Sequence, residues 1–237
     1  MPFLSQKYLS LNEHVSRLGT TIIAVSKTKP VEDILEAYEM GIRDFGENYV
    51  QELVEKQAIL PKDIRWHFIG HLQSNKVKYI ADFVHLIHGV DSEKLLTEIN
   101  KQGKKLNKKI NCLLQVHIAE EETKFGFDKT EIDTLINLHF INKESPHQFE
   151  FVKICGMMGM ASFSEDIQLI KNEFKFLKTI FDTYSNHSTA NFKLEILSMG
   201  MSADYQIAIE CGSNMIRIGS MLFGERNYSS NKNEASS

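Results

Sequence analysis

The feature that most constrains the fold is an alternation of two patterns, a short apolar strand followed by an amphipathic helix, which occurs eight times. The first strand covers residues 21–26, and Pro30 opens the next helix, as proline at a first helical turn does. Alternating strands and helices form a parallel sheet, and eight such units close a barrel. A length of 237 residues is typical of one such domain. The sequence therefore predicts an α/β fold, a single (β/α)₈ TIM barrel.

The strands are assigned from apolar, β-branched runs and the helices from the amphipathic segments between them. The predicted strands are residues 21–26, 44–46, 65–69, 83–87, 110–118, 151–155, 193–197 and 215–218. The predicted helices are 4–18, 31–40, 48–59, 165–184 and 203–210, with three more beginning near residues 74, 92 and 129. We expect the barrel to span residues 1–226 and the polar residues 227–237 to form a disordered tail. The alternative fold is an open doubly wound sheet, but no GxGxxG turn follows the first strand.

Composition and charge argue against several classes of protein. The formal net charge is -4, whereas nucleic-acid binding needs a concentrated basic surface. No stretch reaches the ~20 apolar residues of a membrane helix, so we expect no membrane partner and a cytoplasmic location. Cysteines Cys112, Cys155 and Cys211 show no CxxC spacing, and the histidines form no HxH pair, so no metal site is predicted. The helix faces show no large apolar patch, which favours a monomer.

Candidate site residues follow from the geometry of a closed barrel, whose sites lie at the carboxyl ends of the strands. Lys27 directly follows the first strand, Asn48 begins the helix after the second, and His67 lies within the third. Two interpretations of Lys27 stay open. It is either a solvated charge or, if held against apolar walls, an amine with a lowered pKa that can attack an aldehyde. Arg217 lies inside the last strand and stays protonated, so it needs an anion, an acceptor or a structural salt bridge. We interpret His67 as a barrel-interior or site-lining residue.

Glycine and serine follow the last two strands, where barrels of this kind usually bind phosphate. Ser198, Met199 and Gly200 come after the seventh predicted strand, and Gly219 and Ser220 come after the eighth. Glycine lets backbone N–H groups approach a phosphate closely. Such turns also occur without a ligand, but two of them at neighbouring strand ends favour a phosphate site.

Several spaced motifs resemble the pyridoxal phosphate homeostasis proteins (the YggS/PROSC family) along nearly the whole chain. The matching segments are residues 24–28, 46–52, 66–70, 72–76, 122–126, 197–202, 217–220 and 223–224. They include the sequences AVSKT, GENYVQE, WHFIG, LQSNK, ETKFG, LSMGMS and RIGS, in that order. Serine stands at position 220 where threonine is common in the family, and either hydroxyl can bind a phosphate oxygen.

The resemblance implies a fold similar to the N-terminal domain of alanine racemase and a bound cofactor, pyridoxal 5′-phosphate (PLP). It implies a Schiff base between the cofactor aldehyde and Lys27. It also places Asn48 near the ring hydroxyl, Arg217 at the pyridine nitrogen, and the phosphate around residues 198–200 and 219–220. The implied role is PLP homeostasis, in which the protein buffers the cofactor and delivers it, with apo PLP-dependent enzymes as candidate recipients.

Two other functions remain to be weighed against a carrier. A PLP-dependent racemase or lyase that uses the cofactor as an electron sink benefits from a protonated pyridine nitrogen, which an arginine disfavours. Racemases tolerate an arginine there, but they need an acid/base residue on each face of the substrate. In alanine racemase a second domain supplies one of these residues. The sequence ends thirteen residues after Gly224, so we expect no such domain here. The third possibility is a barrel for another phosphorylated metabolite, with Lys27 a bystander. We therefore predict a PLP-binding protein without robust catalytic turnover.

Overall fold

A closed barrel of eight parallel strands forms the centre of the protein, in a computed structural model that describes residues 3–121, 125–142 and 149–224. The strands are β1 Thr21–Val25, β2 Asp44–Glu47, β3 Arg65–Phe68, β4 Leu86–Val90, β5 Ile110–Gln115, β6 Val152–Met158, β7 Phe192–Met201 and β8 Met215–Ile218. Each strand pairs with the next. Pairing of β8 with β1, in which Arg217 is opposite Ile23, closes the barrel. The predicted (β/α)₈ fold is confirmed.

Helices lie between the strands on the outside of this barrel. They are α1 Ser5–Ser16, α2 Val31–Glu39, α3 Val50–Ile59, α4 Glu93–Leu106, α5 Lys129–Ile136, α6 Ile167–Ser185, α7 Tyr205–Glu210 and α8 Ser220–Phe223. A short 3₁₀ helix, Ser74–Tyr79, follows β3, and a π-helical turn, Asn137–Ile141, extends α5. A two-residue strand, Ser188–Thr189, pairs antiparallel with β7. None of the helices within the described ranges is long and apolar enough to cross a bilayer. The predicted tail, residues 227–237, lies outside the described residues.

Local sequence signals explain where several helices begin. Pro30 precedes α2 with φ of -68°, the value that its ring imposes. The Ser92 hydroxyl accepts a hydrogen bond from the Leu95 N–H and caps α4. Asp128 and Glu131 form a reciprocal capping box at the start of α5. These caps satisfy N–H groups that the first helical turn leaves without partners.

The barrel wall separates two apolar cores. Residues Ile22 and Ala24 of β1 belong to the large core between the sheet and the helices. Ile23, between them, belongs to a small core with Leu86, Leu113, Cys155, Met158 and Met215. Successive side chains of a strand point to opposite faces, so this small core lies inside the barrel. All three cysteines are buried, and burial raises their thiol pKa, as expected for unreactive thiols.

The structure corrects the predicted boundaries of four strands. Strand β5 ends at Gln115, three residues before its predicted end at residue 118. Strand β4 lies three residues further along than predicted, because the apolar residues 83 and 84 pack as a turn and Gly89 continues the strand. A Cβ at Gly89 would lie 2.7 Å from the Gly70 carbonyl oxygen, so glycine here allows two backbones to approach. Strands β6 and β7 likewise extend beyond their predicted ends, and residues 198–200, predicted as a turn, lie within β7.

Candidate cofactor site

A cavity of about 440 Å³ lies at the carboxyl ends of the barrel strands, where the sequence placed the site. Five of the nine predicted site residues line it: Lys27, Asn48, Arg217, Gly219 and Ser220. The other lining residues are Val25, Lys29, Ile69, Met160, Phe163, Met201, Ser202, Ala203 and Gly224. The wall therefore combines apolar side chains with a small number of polar groups, as small-molecule sites do.

Lys27 lies two residues beyond the end of β1, where the barrel wall opens into the cavity. Its side chain is half-buried, and Val25 and Ile69 are apolar parts of the same wall. A lysine amine in such partly apolar surroundings can react with a carbonyl group. The structure thus places Lys27 where a cofactor in the cavity would meet it.

Asn48 follows β2 and contributes an unusual acceptor to the cavity. Its Oδ1 atom is buried and has no hydrogen-bond partner in the part of the chain that the structure describes. The backbone here is closely packed, since a Cβ at Gly70 would lie only 2.3 Å from the Asn48 carbonyl oxygen. A buried acceptor without a partner is costly, so a ligand hydroxyl at this wall would satisfy it.

Arg217, on β8, forms the floor of the cavity and is only 4% exposed. One terminal nitrogen donates to the Ser198 carbonyl oxygen at 2.9 Å and to the Ser198 hydroxyl at 2.8 Å. The other donates to the Gly159 carbonyl oxygen at 3.1 Å. These acceptors are neutral, and burial lowers the pKa of Arg217 to about 10, with Asp204 opposing the shift. The guanidinium is still charged at neutral pH and can bind an acceptor in the cavity.

A chain of buried polar side chains runs from Arg217 into the barrel interior. The Ser198 hydroxyl lies 3.2 Å from His88 Nδ1, and His88 Nε2 lies 2.9 Å from His67 Nδ1. His67 Nε2 lies 3.1 Å from the Asp44 carboxylate. Burial lowers the pKa of His67 and lowers that of His88 well below its ordinary value, so both rings are neutral at pH 7.

Because both rings are neutral, the donor and the acceptor of each hydrogen bond from Ser198 to Asp44 can be assigned. A carboxylate only accepts, so His67 donates to Asp44 and accepts from His88 through Nδ1. His88 therefore accepts from the Ser198 hydroxyl, which itself accepts from Arg217. Every group in the chain then has a partner of the right kind. His67 accordingly lies in the barrel interior, one of the two positions that the sequence allowed, and it does not line the cavity.

The structure separates the two turns that were predicted to hold phosphate. Gly219 and Ser220 line the cavity, together with Ser202. Ser198 and Met199 are fully buried in β7, and Gly200, with φ of +97°, packs against α7, where a Cβ would lie 2.6 Å from Ala208 Cβ. Residues 198–200 thus lie beneath and beside the cavity wall, and a role for them in phosphate binding stays a prediction.

Sequence reasoning missed His88, which joins His67 to Ser198. The predicted fourth strand ended at Ile87, so His88 fell outside it. The usable signal was a histidine within an apolar strand run that continues through Val90. Within the described residues, no group of three or more His, Cys, Asp or Glu side chains lies close enough to hold a metal ion.

Comparison with known proteins assigns the family. The family described as alanine racemase, N-terminal domain, matches residues 4–227. A pyridoxal phosphate homeostasis protein of Pasteurella multocida is 38% identical over 211 residues, which cover 88% of this chain and 87% of that protein. The Homo sapiens protein of the same name is 41% identical over 219 residues, which cover 88% of this chain and 77% of that protein.

A solved structure is similar along most of the chain. PipY of Synechococcus elongatus, solved with PLP bound, is 32% identical and superimposes with a TM-score of 0.80, covering 93% of this chain and 99% of PipY. The chain belongs to the family of pyridoxal phosphate homeostasis proteins, whose barrel is that of the alanine racemase N-terminal domain. The resemblance noted from the sequence motifs is confirmed.

Proposed function

We propose that this protein binds PLP in the cavity at the carboxyl end of the barrel and serves in PLP homeostasis as a carrier without robust turnover. The observation that carries the proposal is the meeting of Lys27, Asn48 and Arg217 in one cavity. The names of the relatives and the PLP in PipY support it. PLP is the active form of vitamin B6.

Each cavity residue has a specific task in this proposal. When bound, PLP supplies an aldehyde, a ring hydroxyl, a pyridine nitrogen and a phosphate. Lys27 would hold the cofactor covalently through its aldehyde, because its amine lines the same cavity. Asn48 Oδ1, which is buried without a partner among the described residues, accepts a hydrogen bond from the ring hydroxyl. Gly219 and Ser220 bind the phosphate.

The presence of Arg217 in the cavity supports a PLP carrier rather than a PLP-dependent enzyme. A guanidinium that donates to the pyridine nitrogen disfavours its protonation, and this weakens the ring as an electron sink. The ionisable side chains among the described residues of the cavity wall are Lys27, Lys29 and Arg217. That wall thus presents no carboxylate, imidazole or phenol as a second acid/base group for a substrate.

We further propose that the protein works in the cytoplasm as a monomer and delivers PLP to apo PLP-dependent enzymes. Delivery needs access to the cofactor, and the cavity is open at one end of the barrel. Its rim carries Phe163, whose side chain is 95% exposed. This exposed apolar side chain is a group at the rim that a recipient enzyme can contact.

Visible absorbance with borohydride reduction, followed by peptide mass analysis, tests the proposal. We expect added PLP to give an imine band that disappears on reduction and leaves a phosphopyridoxyl adduct on Lys27. Lys27→Ala should lose the adduct and keep residual binding through the phosphate, whereas Lys29→Ala should retain the adduct on Lys27. No band with excess PLP would exclude the assigned cofactor. Rapid exchange of a substrate α-proton with deuterated solvent would instead indicate an enzyme.

A further inference from the structure

A second lysine, Lys56 on α3, is buried close to the site and makes three charge-assisted hydrogen bonds. Its ammonium donates to the Ser26 carbonyl oxygen, to Glu47 Oε1 and to Glu52 Oε1, each at 2.7 Å. Lys56 is 5% exposed and Glu47 is fully buried. We call Lys56, Glu47 and Glu52 the lysine clamp. None of the three lines the cavity, so the clamp cannot act on a ligand directly.

The lysine clamp binds the residue that precedes Lys27. The Ser26 hydroxyl donates to Glu47 Oε1 at 2.6 Å, and the Ser26 carbonyl accepts from Lys56. The Ser26 N–H also donates to the Gly46 carbonyl oxygen of β2. Every polar group of this fully buried serine is thus bound, which fixes the backbone that leads into Lys27.

The clamp also binds the residue that follows Lys27. The Thr28 N–H donates to Glu52 Oε1 at 2.6 Å, and this same oxygen accepts from Lys56. Thr28 has φ of +62°, a left-handed conformation that β-branched residues rarely adopt. Strain of this kind persists only where surrounding contacts hold it, and it concentrates at functional sites. The hydrogen bond from the Thr28 N–H to Glu52 is such a contact and stabilises the left-handed conformation of Thr28.

The charges within the clamp explain why three groups are needed. A buried ammonium is stable only with strong acceptors, and Lys56 has two carboxylates and a carbonyl. Burial raises the pKa of Glu47 to about 7, although Lys56 and Ser26 lower it, and Glu47 Oε2 is buried without a partner in the described part of the chain. Such an arrangement costs stability compared with apolar packing, so a role beyond stability is expected.

We propose that Lys56 and Glu52 are positioning residues for Lys27, because they hold the backbone on both sides of Lys27 in the conformation that directs its amine into the cavity. This inference rests on the proposed function, since it concerns the covalent step of PLP binding. Loss of the clamp leaves the cavity wall in place but allows the Lys27 backbone to leave its strained conformation. Covalent binding then weakens more than non-covalent binding.

Glu52→Ala is the test variant, and Glu55→Ala is the matched control. Both residues lie within α3, and Glu55 is exposed and accepts a surface hydrogen bond from Gln51, at 2.8 Å. Two probes are titrated into each protein: PLP, followed by its imine absorbance, and pyridoxine 5′-phosphate, which has no aldehyde and reports the cavity alone. We expect Glu52→Ala to weaken imine formation by about tenfold, the effect of one lost charge-assisted hydrogen bond. Its affinity for pyridoxine 5′-phosphate and both affinities of Glu55→Ala should match the wild type.

A rescue experiment separates positioning from stability. Asparagine adopts left-handed conformations more readily than threonine, so Thr28→Asn in the Glu52→Ala background should restore most of the imine formation. An equal loss of affinity for both probes would overturn the inference, because the clamp would then shape the cavity. Unchanged imine formation in Glu52→Ala would also overturn it. A wild-type protein that binds no PLP would defeat the proposed function itself, a result distinct from either of these.

Discussion

The Arg217 guanidinium donates a hydrogen bond to the Ser198 hydroxyl at 2.8 Å, and this bond connects the cavity floor to the polar interior of the barrel. The Ser198 hydroxyl in turn lies 3.2 Å from His88 Nδ1, the next group in this series of hydrogen bonds. Arg217 is thus oriented from below by a residue that does not line the cavity. The orientation of the guanidinium that lines the cavity therefore depends on the barrel interior.

Ser198→Ala tests this dependence. The change leaves His88 Nδ1 without a donor and Arg217 with one acceptor fewer, so we expect a loss of about 2 kcal/mol in the free energy of unfolding. The absorbance of bound PLP should also shift if Arg217 binds the pyridine nitrogen as proposed, because the variant holds the guanidinium less firmly. Denaturant unfolding and a visible spectrum measure the two effects. Ser188→Ala, at an exposed position, serves as control and should change neither.

The buried histidines predict a dependence of stability on pH. Burial lowers the pKa of His67 and His88 below the ordinary value of 6.5, so below that pH the unfolded chain binds more protons than the folded one. Stability should therefore fall as pH decreases from about 6.5, by at most about 1.4 kcal/mol per pH unit for each histidine. Denaturant unfolding at several pH values measures the slope.

A variant isolates the histidine contribution to this slope. Glu47 acts in the opposite sense, because its raised pKa makes the folded state bind more protons between about 4.5 and 7. The comparison is therefore between wild type and His67→Gln, which should have a shallower slope below pH 6.5. The exposed His187→Gln should keep the wild-type slope. Equal slopes in wild type and His67→Gln would contradict the assignment of His67 as a buried neutral ring.

Much of the fold was predictable because the pattern of strand and helix repeats along the chain. Strand β8 was predicted residue for residue, and helix α5 began where expected, because strong local signals mark them. The errors lie where an apolar run does not distinguish strand from buried turn, as at residues 83–85 before β4. Gly89 and Gly156 lie beyond the predicted ends of the fourth and sixth strands but within β4 and β6, where glycine allows close backbone approach.

The site was predictable only in part, because position along a strand locates a residue but not its partners. Lys27 and Arg217 stood out as charges at or within apolar strands, and both line the cavity. His88 and Lys56 depend on contacts between residues far apart in sequence, which no local pattern specifies. One signal was present for Lys56, which falls three residues after Leu53 on the buried face of α3.

Gly70 is expected to be intolerant of any side chain. A Cβ at this position would lie 2.3 Å from the Asn48 carbonyl oxygen, which belongs to the rigid backbone of the cavity wall. We expect Gly70→Ala to cost about 2–3 kcal/mol of stability through overpacking and to weaken binding of PLP by displacing Asn48. At Gly219 the nearest atom to such a Cβ is Val25 Cβ, at 3.5 Å, so Gly219→Ala should have much less effect on stability. Thermal unfolding of the two variants distinguishes them, and equal losses would contradict this account.

Removal of Lys56 should destabilise the protein in a pH-dependent way. In Lys56→Met the Glu47 carboxylate loses its buried ammonium partner, and breaking a buried ion pair in this way costs about 3–5 kcal/mol. The pKa of Glu47, already raised to about 7, must rise further without Lys56, so protonation relieves the cost at lower pH. We therefore expect the loss of stability to be large at pH 8 and much smaller at pH 5.5.

Lys56→Met combined with Glu47→Gln removes both charges and should recover most of the stability at pH 8, as replacement of both members of a buried pair often does. A loss of stability that is the same at both pH values would show that Glu47 is uncharged at both. The hydrogen bonds of Lys56 to the Ser26 carbonyl and to Glu52 would then account for the contribution of Lys56 to stability.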